Sequence, residues 1–159
     1  MKTFLGQVIA LVADAFKNDS DKSGQPYVLH CIAVMEGTRN RGVTCPFELA
    51  AAFAHDLAED RPERMNELVD ICDRYTEGEK TIEWVYRLSR GDNETYQEFI
   101  QRIINSKQQN LIKIKMADIE HNSQLTRLKG TTDNDLSRAK KYVRSYAELD
   151  AALKLLQNN

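Results

Sequence analysis

The sequence has few of the residues and patterns that mark several protein classes. Its 159 residues include only 7 Gly and 3 Pro, too few turn residues for an all-β fold of many short strands. The longest runs of uncharged apolar residues are six long, as at 8–13, whereas a membrane-spanning helix needs about 18 or more. With 42% hydrophobic residues, the chain can still bury a substantial core. We therefore predict a single domain over residues 1–159, with no membrane span.

An excess of charge of one sign is also missing. The 22 basic and 24 acidic residues nearly cancel to a net charge of −2, so no overall field attracts a nucleic-acid backbone or an anionic bilayer. We expect neither polymeric nucleic acid nor a membrane as a partner. No feature of the sequence selects an oligomeric state.

Cysteine is scarce as well. Cys31, Cys45 and Cys72 are odd in number and form no C-x-x-C pair, so neither a disulfide framework nor a zinc ribbon is predicted. A reducing cytoplasm suits such a chain. The range 1–15 ends in a small-x-small triplet, as signal peptides do, but its apolar residues recur at helical spacing and Gln7 interrupts them. We interpret this range as a helix of the mature protein.

What the sequence does have is apolar residues at helical spacing between short breaks. We predict helices over 27–38 and 46–60, because Pro26 and Pro46 can each occupy a first helical turn, where the missing N–H is not needed. The segment 111–116 alternates like a strand, but its surroundings favour helix. The predicted fold class is all-α, with seven or eight helices and no strand. The predicted breaks lie at 19–25, 37–44, 61–63, 91–93 and 129–133.

The last predicted helix has a clear start signal. Thr132 with Asp135 resembles a capping box, in which each side chain satisfies a backbone N–H of the first helical turn. The helix that follows carries one apolar stripe, as expected of a terminal helix that packs on a bundle. The stripe consists of Leu136, Ala139, Tyr142, Val143, Tyr146, Leu149 and Leu153.

The range 49–60, LAAAFAHDLAED, is unusual. Six uncharged residues, four of them alanine, lead directly into two ligand-type residues and two further carboxylates. On one continuous helix, residues four apart stack, so His55 is expected over Glu59 and Asp56 over Asp60. Taken alone, this segment is equally explained as the solvated end of a core helix.

Two other segments strengthen a functional interpretation. His30 lies between Leu29 and the apolar run 31–35, where an imidazole is costly unless it has a partner. In the range 115–122, Asp118 and Asn122 share a helix face. Taken alone, His30 could equally be a core histidine with a hydrogen-bond partner, and Asp118 with Asn122 could be a polar stripe. Together with His55 and Asp56 they offer nitrogen and oxygen ligands. Such ligands are typical of a divalent ion such as Mn²⁺ and not of a zinc site built from thiolates.

The set His30, His55-Asp56 and Asp118 resembles the H…HD…D signature of the HD superfamily of metal-dependent phosphohydrolases, which fold as all-helical bundles. More narrowly, the strings SGQPYVLH, AHDLAED and KMADIEHN are similar to motifs of the hydrolase domain of the RelA/SpoT family, which includes small stand-alone alarmone hydrolases. There the motifs run as S-G-E-P-Y, a hydrophobic pair and His; H-D, a hydrophobic pair and E-D; and K-L-A-D followed by H-N. The resemblance covers about residues 8–156.

This resemblance implies a metal site and its acid–base groups. One divalent ion, usually manganese, is expected on four ligands: His30, His55, Asp56 and Asp118. Glu59 and Asp60 match the acidic pair next to the attacking water, one of which takes its proton. Crowding of like charges raises the pKa of one carboxylate, which is a usual way to divide acid and base roles. Which of the two is the base stays open.

The resemblance also implies substrate-binding residues. Asn122 matches an asparagine near the substrate ribose or phosphate, although an exposed amide at a helix end is the alternative. Arg138 and Tyr142 fit an Arg-x-x-x-Tyr face that the C-terminal helix presents to the substrate. For Tyr142, packing in the core is an equally good interpretation, because it also lies on the apolar stripe.

One position departs from the family pattern. Lys22 and Ser23 match the basic residue and the serine of the first motif, but Asp21 stands where the family has an arginine. Losing a planar cation that can stack on a purine should weaken or redirect base selection. Four arginines could compensate: Arg39, Arg41, Arg61 and Arg90.

The expected function is therefore hydrolysis of a small phosphorylated nucleotide, most specifically release of the 3'-pyrophosphate of (p)ppGpp. No synthetase domain is expected after the hydrolase domain in a chain of this length. Because of Asp21, a second hypothesis is another nucleotide substrate, such as the phosphate of NADPH or a nucleoside monophosphate. A third is a nucleotide-binding regulator without turnover.

Overall fold

The computed structural model describes residues 3–125 and 130–158, and these contain α-helices, one short 3₁₀ helix and no strand. Eight helices have eight residues or more, and one is a single turn, in line with the predicted all-α fold. A lone β-bridge joins Ser20 and Pro26. The helices are α1 Phe4–Ala15, α2 Val28–Asn40, α3 Pro46–Phe53, α4 Leu57–Asp60, α5 Met65–Cys72, α6 Gly78–Leu88, α7 Tyr96–Asn105, α8 Gln109–Asn122 and α9 Asp133–Gln157, with the 3₁₀ turn Pro62–Arg64 between α4 and α5.

Local capping explains where several helices begin. The predicted capping box at Thr132 and Asp135 is confirmed: the Thr132 hydroxyl accepts from the Asp135 N–H, and the Asp135 carboxylate accepts from the Thr132 N–H. Thr95 and Glu98 make the same reciprocal pair at the start of α7. Of the predicted break at 129–133, Lys129 lies outside the described residues.

The prediction of one helix over 46–60 is wrong. Helix α3 ends at Phe53, a turn follows, and α4 begins at Leu57. The turn lets the His55 ring fold back so that its Nδ1 donates to the carbonyl oxygen of Ala52, while Leu57 is fully buried. The break therefore turns His55 into the core, and the expected stacking of His55 over Glu59 on one helix does not occur.

Helix α8 lies at the centre of the bundle, packed against α2 and α9. The strand-like segment 111–116 is helical, as predicted. Its weak periodicity has a simple cause, since α8 is buried on nearly all sides and has no continuous solvent face. At Gly37 of α2, an added Cβ would lie 3.1 Å from the Cβ of Ala117, so glycine allows the close approach of α2 to α8.

The predicted apolar stripe of α9 is correct for only part of the helix. Leu149 and Leu153 are buried, and Tyr142 and Tyr146 pack against the core. Leu136 and Val143 are 46% and 66% exposed, so their prediction as core residues is wrong. The physical reason is that both side chains are on solvent-exposed faces of α9, while Arg138 and Tyr142 in the same half of the helix line a cavity.

The buried apolar side chains form one core with members from every helix, α1 to α9. No helix in the described ranges is long and apolar enough to cross a membrane. The outcome of this packing is that α2, the turn after α3, and α8 meet in the interior, which is where the predicted ligand residues lie.

Candidate metal centre

Three predicted ligands meet at one buried point. His30 comes from α2, His55 from the turn after α3, and Asp118 from α8. One donor atom from each lies within 4.8 Å of the other two. Their exposed fractions are only 3%, 2% and 6%. Elements distant in sequence therefore bring two imidazoles and a carboxylate together in the core.

The separations between these atoms fit ligands of a common ion. The Nε2 atoms of His30 and His55 are 3.1 Å apart, and Asp118 Oδ1 lies 3.5 and 3.7 Å from them. Asp56 Oδ2 lies 2.9 Å from His55 Nε2 and 3.5 Å from His30 Nε2. Neighbouring ligands of an octahedral ion, each about 2.1 Å from the metal, lie about 3 Å apart. His30, His55 and Asp118 are thus close enough together for one divalent ion, and Asp56 lies beside the two histidines.

Hydrogen bonds at the far ring nitrogens orient both imidazoles. His55 Nδ1 lies 2.9 Å from the Ala52 carbonyl oxygen, which can only accept, so Nδ1 carries a proton and Nε2 is the atom that faces the centre. His30 Nδ1 lies 2.7 Å from Nδ1 of His121, and with His30 as the donor its Nε2 presents a lone pair. Metal-binding histidines are commonly held in this way by a hydrogen bond at the other nitrogen.

The two carboxylates are held by their own partners. Lys115 Nζ donates to Asp118 Oδ2 at 2.7 Å, and Asn122 Nδ2 donates to Asp118 Oδ1 at 2.6 Å. The Tyr27 hydroxyl donates to Asp56 Oδ2. These contacts fix the direction in which each carboxylate oxygen points, so the centre is preorganised.

The electrostatics of the centre favour an additional positive charge. Burial opposes protonation of His55, but the carboxylates of Asp56 and Asp118 outweigh it and raise its pKa to about 10. For Asp118, burial raises the pKa, yet Lys115 and His55 lower it below the ordinary value. Burial and the neighbouring Asp56 raise the pKa of the Tyr27 hydroxyl, so it stays a donor. The nitrogen and oxygen donors fit a divalent ion, which would replace the proton on His55.

The predicted acidic pair lies at the solvent edge of this centre. Glu59 and Asp60 are exposed on α4, and Glu59 Oε2 accepts from the backbone N–H of Arg90 at 3.1 Å. Burial, and then the charges of Asp56 and Glu59, raise the pKa of Asp60. The expectation that crowding raises one carboxylate pKa is met at Asp60.

A cavity of about 300 Å³ opens beside the centre. His30 and Tyr27 form its inner side. Four predicted substrate-binding residues also line it: Lys22, Asn122, Arg138 and Tyr142. For Tyr142, the sequence was equally compatible with core packing and with substrate binding. In the structure its side chain both contacts the core and lines the cavity.

Ser23 is placed differently from the other predicted substrate residues. It is 5% exposed, and its N–H and hydroxyl both donate to Asp21 Oδ1, at 2.8 and 2.6 Å. The N–H of Gln25 donates to the same oxygen at 3.0 Å. Ser23 borders a neighbouring cavity shared with His121, while Asp21 borders both cavities. The residue that departs from the family pattern therefore shapes the loop before α2.

The four arginines considered as replacements for the missing one have different surroundings. Arg39 pairs with Glu36, Arg41 with Glu120, and Arg61 with Asp19. None of these three lines the cavity beside His30. Arg90 does not line the cavity either, but its charge helps, after burial, to lower the pKa of Lys141 on α9.

Three residues of the site were missed as functional candidates. Lys115 is buried against Asp118, and His121 contacts His30. Lys141 lies over the rings of Tyr96 and Tyr142. For the first two, a signal existed: both belong to the motif KMADIEHN. Lys141 has no such signal, because Tyr96 comes from another helix, α7.

The fold is a helical bundle whose core brings two histidines and an aspartate together. Among solved structures, the chain is similar to a metazoan ortholog of SpoT, which hydrolyzes ppGpp and plays a role in starvation responses. The TM-score is 0.70 at 20% sequence identity, over 98% of this chain and 94% of that chain. No protein-family model and no curated protein sequence matches the chain. The structural likeness establishes the fold.

Proposed function

We propose that this chain is a metal-dependent pyrophosphohydrolase that converts (p)ppGpp to GDP or GTP and pyrophosphate. The main support for the proposal is a buried cluster of His30, His55 and Asp118, with Asp56 beside it. The fold that contains this cluster is similar to that of a ppGpp hydrolase. The adjoining cavity has cations and a tyrosine at its edge, as a nucleotide with phosphate groups requires. We further propose Mn²⁺ as the ion and the cytoplasm as the location.

The four ligands would hold one divalent ion, which when bound lowers the pKa of a water molecule and polarises a phosphoryl oxygen. The protein's own groups do the rest. Lys22 and Arg138 line the cavity and offset the negative charge of the bound nucleotide, and Asn122 keeps Asp118 in place while facing the substrate. A carboxylate at 59 or 60 accepts the proton of the attacking water as its oxygen bonds to phosphorus. The bond to the ribose 3'-oxygen breaks, and that oxygen takes up a proton.

The reaction needs one group that accepts a proton from water and one that delivers a proton to the leaving oxygen, and Glu59 and Asp60 can supply both. The raised pKa of Asp60 suits a group that carries a proton, and Glu59 is then the carboxylate available to accept one. Glu59 is also oriented, since its carboxylate accepts from the Arg90 N–H. We therefore assign proton acceptance to Glu59 and proton delivery to Asp60.

A second candidate function is hydrolysis of a different phosphorylated nucleotide. Its support is Asp21, whose carboxylate is engaged by Ser23 and Gln25 at the position where the family carries an arginine. The base-contacting cation is therefore missing from this loop, and selection for guanine loses one of its contacts.

A substrate panel separates these candidates. The protein is supplied with Mn²⁺ and offered ppGpp, pppGpp, NADPH and nucleoside monophosphates, and pyrophosphate and orthophosphate are measured separately. Pyrophosphate from ppGpp and pppGpp is the expected result. Orthophosphate alone would contradict the alarmone assignment and support the second candidate. Nucleotide binding without any release would instead support a regulator that has lost turnover.

A further inference from the structure

Positive charge is concentrated where α9 borders the cavity. Lys22 and Arg138 line the cavity, and Lys141 follows Arg138 by three residues, so the two side chains share a face of α9. Burial first, and then the charges of Arg90, Arg138, Lys115 and Lys22, lower the pKa of Lys141. Cations from four parts of the chain are therefore close enough to repel one another beside the metal centre.

Aromatic rings hold Lys141 at this place. Its Nζ lies 4.2 Å from the centroid of the Tyr96 ring and 5.5 Å from that of Tyr142. The Tyr96 and Tyr142 rings are in turn 5.9 Å apart, and Tyr142 lines the cavity. A cation over aromatic faces keeps its N–H groups available for an anion, which a cation bound to a carboxylate does not.

The counter-charge beside these cations comes from Asp21, which lines the cavity, and from Asp135, which pairs with Arg138. Within 3–125 and 130–158, no carboxylate oxygen lies within 4.0 Å of Lys22 or Lys141, and Arg138 pairs with Asp135 at 2.7 Å. By contrast, Lys17, Lys80 and Lys154 on other surfaces are each paired with a carboxylate. Crowded cations that outnumber the neighbouring carboxylates gain stability when an anion binds among them.

We propose that Lys141, with Arg138 and Lys22, forms an anion subsite for a phosphate group of the substrate other than the one cleaved at the metal centre. This inference rests on the proposed function and sharpens its substrate class. The substrate carries phosphate at two separate positions, one bound at the His–Asp centre and one at the N-terminal half of α9. Lys141 thereby supplies a cation to a pocket in which Asp21 stands where the family has an arginine.

The test uses two guanosine nucleotides and three variants. Guanosine 3',5'-bis(diphosphate) reaches both places, whereas guanosine 3'-diphosphate with a free 5'-hydroxyl reaches only the metal centre. Lys141→Met removes the charge and keeps an apolar stem over Tyr96, and Lys141→Arg restores the charge. Lys154→Met is the matched control, because it removes the same charge about 20 Å further along α9.

We expect Lys141→Met to raise KM for the bis(diphosphate) about tenfold, the usual scale for one hydrogen bond to a charged group, with kcat unchanged. KM for the 3'-diphosphate should not change, Lys141→Arg should restore most of the loss, and Lys154→Met should behave like the wild type. An equal rise in KM for both nucleotides, or no rise for either, would overturn the subsite.

Binding measurements keep the subsite distinguishable from the proposed function. If the wild type releases no pyrophosphate, the proposed function fails, and calorimetric Kd values for the same two nucleotides decide the subsite. A tenfold weakening by Lys141→Met that is confined to the bis(diphosphate) supports it. Equal Kd values for the wild type and the variant, or no binding of the bis(diphosphate), overturn it.

Discussion

Two clusters of buried polar residues in this bundle are built on opposite principles. In the first, Glu48 is 6% exposed, and each of its carboxylate oxygens faces a donor: Lys80 Nζ at 2.6 Å and Asn110 Nδ2 at 2.9 Å. In the second, the Nε2 atoms of His30 and His55 face each other at 3.1 Å, with carboxylate oxygens alongside.

The difference shows which cluster is complete. Donors and acceptors are matched around Glu48, so that cluster needs nothing more and serves the packing of α3, α6 and α8. At the His–Asp centre, two imidazoles and two carboxylates converge, and the buried negative charge is costly unless a cation, either a proton on His55 or a metal ion, lies among them. Substitutions at the His–Asp centre should therefore affect metal binding and turnover, whereas a substitution at Glu48 should affect only stability.

The largest effect is expected when Asp118 is changed. Asp118→Ala removes one ligand and should abolish both metal retention and turnover, a loss beyond the roughly 100-fold that removal of a supporting residue costs. Asp118→Asn, which keeps the side-chain shape, should show the same loss. Metal content after gel filtration and pyrophosphate release measure the two effects. Undiminished activity in folded Asp118→Ala protein would show that the ligand assignment is wrong.

The next largest effect is expected at the edge of the centre. Glu59→Gln removes a proton acceptor but no ligand, so hydrolysis should slow by about 100-fold while bound metal is unchanged. The control is Glu63→Gln, a similar change on the exposed turn after α4. A variant that loses metal together with activity would place Glu59 among the ligands instead.

Proton competition should make metal binding depend on pH. In the metal-free protein His55 holds a proton up to a pKa of about 10, and the metal binds only the deprotonated ring. Apparent affinity for Mn²⁺ should therefore rise about tenfold per pH unit between pH 6.5 and 8.5. Calorimetry in buffers of different ionisation enthalpy should show about one proton released per ion. A Kd that is independent of pH contradicts this linkage.

The smallest effect is expected at the reference cluster. Glu48→Gln keeps a hydrogen bond to Asn110 but loses the charge that faces Lys80, whose side chain is 39% exposed. Because solvent screens that pair, the free energy of unfolding should fall by only about 1–2 kcal/mol. Urea denaturation measures this loss. Metal content should equal that of the wild type, and a loss of metal would remove the distinction between the two clusters.

Local sequence signals predicted much of the fold. The capping box at Thr132 and the proline at the start of α3 act within one helical turn, so both could be read directly from the sequence. The break after Phe53 could not, because no glycine or proline marks it. It is set by tertiary packing, which buries Leu57 and turns the His55 ring towards α2 and α8.

The candidate site divides in the same way. Motifs carried by short strings identified His30, His55 and Asp118, which meet in the core. Lys115 alternates with apolar residues as a solvent-facing lysine does, yet it is 8% exposed because Asp118 offers it a buried counter-charge. Lys141 lies over the ring of Tyr96, a contact between α9 and α7 that sequence spacing does not encode.

The central claim is that His30, His55 and Asp118 bind one divalent ion between them. Crystals of the protein soaked with Mn²⁺ and measured at the manganese absorption edge test it most directly. The account predicts one strong anomalous peak within bonding distance of the Nε2 atoms of His30 and His55 and of Asp118 Oδ1, and no peak at Glu48. Manganese at full occupancy elsewhere, with none between the two histidines, would contradict it.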